Sequence, residues 1–598
     1  MSLSKLYSNR SEIFMPVRFT DGLNVVLAEI RLPQNKDKDT HNLGKSTLGR
    51  LIDFTLLARK SQSFFLFKHQ EMFESFVFFL EIELKDGSFL TVRRSVEEGS
   101  KASFKLSTTR DNDFSNLSEN EWDHYNVPFE RAKSLLDGYL AWRAIKPWDY
   151  RKVLGYYLRT QEDYQDVFQL RKFAGSHADW KPVLAHVLGF DAQKIIYRYE
   201  QETLRDKKER KVADLEDELG NTSDDLSTIE GLLQIKKEEA SQTEVQLENF
   251  DFRESDKDTT DRIVDEIDGE IANLNERKYS LRSNKKKIES AIRENRITFS
   301  SEEASSLFEE VEVYFGGQLK KNFDQLLEFN QAITEERSRY LKEDLKELSA
   351  ELETINGQLE ILGKQRSDAL SFLSETEVFE KYRNLSAQLV ELKSSIDILE
   401  TRRDHRLELQ AIRAELRGIE EELGRLAGNI EEDVASQNAD SGSTFSNVRR
   451  YFNEIVSTVL GRKALLSVSV NKENHLEFKA SFLDDENNVT SADAGSSYKR
   501  LLCVAFDLAV LRAHIHDDYP RFAFHDGVFE TLDPRKKTML LEVLRDYGRM
   551  GLQLIATTID SELPDPSDGE ESVLTDDEIV VRLHDEGMEG RLFKMQSW

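Results

Sequence analysis

A chain of 598 residues is too long for one hydrophobic core, so two or more domains are expected. Charged residues make up 32% and hydrophobic ones 39%, a balance that points to long solvated helices beside a globular part. The net charge of −30 argues against a surface that binds nucleic acid throughout, and the single cysteine, Cys503, excludes internal disulfides and a paired-cysteine zinc hook.

In chain order, the first 60 residues carry ten Lys/Arg against six Asp/Glu, a local reversal that hints at an anion-facing surface. An apolar strand-like run, Leu23 to Leu27, is followed by an insert, Glu29 to Lys38. Then comes Asp39-Thr40-His41-Asn42-Leu43-Gly44-Lys45-Ser46-Thr47, which opens a helical run from Leu48 to Leu57. Strand, glycine turn, Lys-Ser and helix form the context of a phosphate-binding loop. Its backbone N–H groups and the helix N-terminus surround phosphates. Lys45 reaches the β- and γ-phosphates and the Ser46 hydroxyl ligates Mg²⁺. Asn42, Gly44, Lys45, Ser46 and Thr47 are therefore candidate ATP contacts, although Asp39 stands where such loops usually begin with glycine.

Residues 1–195 read as mixed α/β. Phe76 to Val96 holds two strand-like runs around Asp86-Gly87, a hairpin signal. The stretch Trp142 to Trp180 is rich in aromatic and basic residues, and within it an apolar approach ends in Gln161.

From about 196 the texture changes. Val212, Leu215, Leu219, Leu226, Ile229 and Leu233 follow three- and four-residue steps with one vacancy at Thr222. So do Leu341, Leu345, Leu348, Leu352, Ile355, Leu359 and Leu362, and a third series runs from Ile412 to Ile430. Such spacing keeps one seam against a partner helix. The expected layout is an outgoing coiled-coil arm at 196–300, a tip at 301–340 near Gly316-Gly317, and a returning arm at 341–436. About 100 residues per arm would span roughly 150 Å at 1.5 Å per residue, less where Gly220-Asn221 and Phe250 to Thr260 interrupt it.

After a polar linker, Gln437 to Ser446, globular composition returns over 437–598. Leu465 to Val470 and Leu476 to Phe482 read as paired strands, and Ile579 to Leu583 with Arg591 to Met595 as a closing hairpin. Arg449, Arg450, Arg462 and Lys463 could meet phosphates or form a solvated helix face. Gly495-Ser496-Ser497 opens a helix, Leu501 to His514, and presents N–H groups and hydroxyls to an anion. Arg521 to His525 is a short apolar strand ending in Asp526, where a carboxylate can hold Mg²⁺ opposite the phosphate loop. Seven residues later comes Asp533. No run of 18 apolar residues and no signal-peptide core is present, so a soluble cytoplasmic protein without a membrane partner is expected.

The order of these motifs resembles that of SMC-like ABC ATPases over nearly the whole chain. The resemblance implies an α/β ABC-type P-loop head, assembled from N- and C-terminal lobes and joined by a long antiparallel coiled coil. It implies ATP and Mg²⁺ as cofactors, with Asp526 in the Walker B role and Gln161 in the Q-loop, facing the metal. It places Gly495, Ser496 and Ser497 in the signature motif that meets the nucleotide of a second head, and Asp533 in the D-loop. More narrowly, Asp39 to Thr47 and Phe524 to Glu530 resemble the ATPase of bacterial three-component antiphage systems of the Lamassu type. That implies a homodimer through the heads, double-stranded DNA, an effector nuclease and a small accessory subunit as partners. RecN-like DNA repair, or a nucleotide-sensing scaffold without turnover, are the alternatives. Two departures bear on catalysis. Gly527 replaces the usual Glu after the Walker B Asp, leaving Glu530 as the nearest carboxylate. Ile559, or Thr558 by a one-residue shift, stands in place of the switch histidine.

Overall fold

The computed structural model describes residues 1–32, 43–171, 176–219, 225–249, 257–294, 318–371, 377–484, 486, 488–490, 496–530, 532–564 and 572–596. Asp39, Asn42 and Gly495 lie outside them, as does the first half of the expected tip. The chain divides into two units, Met1–Asp206 with Gly418–Trp598, and Lys207–Arg417.

The first unit is built on a five-stranded parallel sheet drawn from both ends of the chain. Its order is β14 (Ile579–His584), β3 (Leu23–Glu29), β13 (Gln553–Ile559), β12 (Phe522–His525) and β8 (Leu158–Arg159). β3, β12 and β13 are buried along nearly their whole length because a central parallel strand is covered on both faces. Helix α1 (Lys45–Thr55) lies close on this sheet: a Cβ on Gly49 would stand 2.4 Å from the Phe524 ring.

A six-stranded antiparallel sheet packs into the same core, in the order β2 (Val17–Arg18), β1 (Ser2–Ser8), β4 (Val77–Glu83), β5 (Phe89–Ser95), β6 (Lys101–Ser107) and β7 (His124–Pro128). The hairpin expected at Asp86-Gly87 is β4 and β5. β9 (Ala464–Val470) and β10 (Leu476–Leu483) pair as expected, with β11 (Val489–Thr490) beside them. The closing C-terminal hairpin does not form. β14 runs parallel to β3, while Phe593 bridges Phe14 and sits among the rings of Phe73 and Phe76 at 5.3 and 5.7 Å. A cluster of buried aromatic rings offers Phe593 more contact than a neighbouring strand would.

The second unit is helical. α2 (Ala192–Leu219), α3 (Leu226–Glu248), α4 (Lys257–Glu294), α5 (Gln318–Ser371) and α6 (Glu377–Ala439) supply it. Partners on α2–α3 and α6 run in opposite directions: Lys208 with Glu415, Glu218 with His405, Lys237 with Glu400, Glu244 with Lys393. α4 and α5 are likewise opposed, through Asp268 with Arg366 and Arg277 with Glu351. α4 and α6, however, run the same way. Asp268 meets Ser386, and Lys287 meets the same Glu218 that His405 faces.

The chain thus goes out, back, out again and back. This corrects the expectation of one long out-and-back hairpin. The outgoing leg's described helices, Lys207 to Leu219 and Leu226 to Glu248, amount to about 54 Å at 1.5 Å per residue, far short of 150 Å. Gln318 to Tyr340, expected in the tip, belong to α5. The polar linker is likewise shorter than expected, because α6 runs to Ala439 and Ser443 already caps α7 (Thr444–Leu460).

Candidate nucleotide site

In open parallel sheets ligands gather where the strands end, at their carboxyl edge. Three of the residues singled out above emerge there: α1 begins at Lys45, β8 runs into Thr160 and Gln161, and β12 into Asp526. β13 runs into the turn Asp560–Glu562 at the same edge.

Gly44 sits at the N-cap of α1 with φ 102°, a conformation that suits glycine. No side chain caps the helix, and its first turn holds no acid. Its leading N–H groups and partial positive charge are therefore left for an anion. Burial lowers the Lys45 ammonium below the usual lysine value, against the pull of Glu562, Asp526, Glu530 and Asp560. Among the described residues Lys45 makes no ion pair.

Asp526 is 1% exposed. Its Oδ1 accepts from the Thr557 hydroxyl at 2.5 Å, and that hydroxyl accepts from the Gly527 N–H at 2.9 Å. Its Oδ2 is buried with no hydrogen-bond partner among the described residues. A buried carboxylate oxygen without a partner is costly, and a cation relieves it. Among the described residues no three His, Cys, Asp or Glu side chains form a ready metal cluster. A Mg²⁺ at Asp526 would therefore take further oxygens from Ser46, phosphate and water, as this ion commonly does. The residues present fit Mg-ATP.

Gln161 and Glu530, 369 positions apart, meet directly: Gln161 Nε2 donates to Glu530 Oε1 at 2.9 Å. Arg500 of α8 (Ser496–Ala513) holds Glu530 Oε2 and donates to the Gly527 carbonyl at 2.7 Å. Glu530 is thereby folded back over Gly527. Ser496 and Ser497 begin α8, and Asp533 caps α9 (Pro534–Arg549) and pairs with Lys536 at 2.6 Å.

Beneath Gln161, Arg159 is wholly buried and grips Asp507 of α8 through two bonds of 2.6 and 2.9 Å. Its guanidinium also donates to the carbonyls of Asp163, Asp166 and Val167, so the loop after β8 is wrapped around it. His525 Nε2 lies 3.1 Å from the same Asp507. Thr557, Arg500, Arg159 and Glu562 were not singled out from the sequence. Only the apolar approach to Gln161 and the strand leading to Ile559 pointed toward their neighbourhoods.

A family model described as an uncharacterised protein conserved in bacteria, DUF2326, matches residues 455–597. No curated protein matches. Among solved structures, the chain is similar to the Smc head domain with a coiled coil and joint from Pyrococcus yayanosii, at 16% identity and TM-score 0.35, covering 93% of this chain and 92% of that one. It is also similar to the Smc head domain with an extended coiled coil, bound to the C-terminal domain of ScpA, from Pyrococcus furiosus, at 13% identity and TM-score 0.35, covering 94% and 90%. No described helix is long and apolar enough to cross a membrane.

Proposed function

We propose that this protein is an SMC-type ATPase whose first unit binds Mg-ATP at the carboxyl edge of its composite sheet. The observation that carries the reading is the buried, unpartnered Asp526 Oδ2 close to Lys45, on a helix start that no side chain caps. Lys45 meets the phosphates, Ser46 and Asp526 hold Mg²⁺, and Gln161 stands beside the metal. Ser496 and Ser497 at the start of α8 face the nucleotide of a second copy, so ATP joins two heads. On the motif resemblance of Asp39 to Thr47 and Phe524 to Glu530, the engaged dimer clamps DNA and controls an effector nuclease in antiphage defence.

Fluorescent ATP-analogue titration tests the first step. Wild type binds in the presence of Mg²⁺, while Lys45→Ala, which removes the charge facing the phosphates, binds at least about 100-fold more weakly. Equal affinity in the two proteins refutes the site. Sedimentation with saturating ATP tests the second: a wild type that stays monomeric, DNA present or not, refutes head engagement.

A further inference from the structure

β13 is the middle strand of the parallel sheet, between β3 and β12, so the turn that leaves it stands at the centre of the nucleotide edge. That turn is fixed at both ends. The Ile30 N–H after β3 donates to Asp560 Oδ2 at 3.3 Å, and the Ile559 N–H donates to Glu562 Oε2 at 3.4 Å. Glu562 is the carboxylate most strongly felt by Lys45. The charged groups acting on it are Glu530 from the loop after β12, Lys45 from α1 and Lys537 from α9.

The two glutamates differ in how they are held. Both oxygens of Glu530 already face donors, Gln161 on one side and Arg500 on the other. Glu562 has only the long bond to its own turn and makes no ion pair within 4 Å among the described residues. We propose that Glu562, and not Glu530, is the general base of ATP hydrolysis, taking a proton from the water that attacks the terminal phosphate. The proposal rests on the Mg-ATP site described above.

In that step the water oxygen bonds to the γ-phosphorus and the bond from γ-phosphorus to the β,γ-bridging oxygen breaks. The electron pair leaves with ADP, and the proton passes to a Glu562 oxygen. A base suited to this needs a proton affinity near working pH. Burial first, and the repulsion of Glu530 second, raise Glu562 above the usual carboxylate range, with Lys45 opposing. Glu530 is instead a positioning residue that ties Gln161 to Arg500.

Turnover and non-hydrolysable ATP-analogue binding, measured on the full chain over pH values upward from the ordinary carboxylate range, separate the roles. Glu562→Gln keeps analogue binding and lowers turnover at least about 100-fold. In wild type, analogue affinity falls as pH rises, because an ionised Glu562 repels the phosphates, whereas turnover rises. Glu562→Gln loses the part of this pH dependence that Glu562 supplies, leaving a flatter profile than wild type. Its turnover loss exceeds that of Glu530→Gln by at least about tenfold. The assignment is overturned if Glu562→Gln turns over within about threefold of wild type. It is equally overturned if Glu530→Gln suffers the larger loss, or if wild type binds ATP without hydrolysing it. A wild type that binds no Mg-ATP overturns the nucleotide site instead.

Discussion

Glu530 occupies the space that a side chain at Gly527 would need: a Cβ built there lies 2.3 Å from Glu530 Oε1. Gly527 also holds φ 68°, in the left-handed region. The left-handed backbone favours glycine here, and a side chain at this position would displace the Glu530 carboxylate.

Gly527→Ala should destabilise the head by about 1–3 kcal/mol, from backbone strain and the displaced carboxylate together. In a Glu530→Ala background the same substitution should cost less, leaving about 1 kcal/mol for the backbone alone. Guanidinium unfolding of the four proteins measures both values. Equal costs in the two backgrounds would show that the carboxylate is not in the way.

Thr557→Val removes the hydroxyl that joins Asp526 to the Gly527 N–H while keeping the volume. Two buried polar groups then lose their partner, and about 1–3 kcal/mol of stability should go with them. The Mg²⁺ concentration needed for half-maximal ATP binding should rise. A variant with unchanged stability and unchanged Mg²⁺ dependence would separate Thr557 from the site.

Arg159 and Asp507 are each wholly buried and joined by two hydrogen bonds. Asp507→Ala strands a guanidinium in the core and should cost about 3–5 kcal/mol. Arg159→Met with Asp507→Leu should recover part of that stability. Because Arg159 holds three carbonyls of the Gln161 loop, the double variant should still bind ATP more weakly than wild type. Thermal melts and analogue titration, run side by side, read the two effects independently.

The parallel course of α4 and α6 makes a positional prediction. Cysteines at Glu218 and Lys287, whose side chains pair at 3.0 Å, should cross-link within one chain. Cysteines at Asp268 and Ser386 should do the same. A single long hairpin would hold the members of the first pair far apart. The native Cys503 does not interfere, being 0% exposed with its thiol pushed up to about 12 by burial. It should resist thiol reagents at pH 8 in the folded protein and react once the head unfolds.

Motifs that fold on themselves were legible: the Gly44-Lys45-Ser46 turn, the strand ending at Asp526, and the hairpin at Asp86-Gly87. Each is encoded by neighbours in sequence. Glu562 and Arg500 were not, because their importance arises only when β13 and α8 are brought beside Lys45 and Gly527 from hundreds of residues away. The helical unit shows a second reason. The series Leu348 to Leu359 announces a partner helix, and Leu274 and Leu281 supply it. A repeat of apolar residues says that a seam is covered without saying by which helix or in which direction. The C-terminal strands misled likewise, since two strand-like runs flanking Glu586-Gly587 did not reveal the aromatic cluster that claims Phe593.

The composite sheet sets a timetable for synthesis. β8 is complete at Arg159, yet its only sheet neighbour among the described residues, β12, begins at Phe522. At about 5–20 residues per second the ribosome needs on the order of 20–70 s to travel between them. Throughout that interval β3 and β8 present unpaired edges, which invite association with other chains. The helices of the second unit are made during the wait and need only contacts among themselves. Once that unit folds, the pairing of Lys208 with Glu415 sets the two segments that leave it side by side before the last strands emerge.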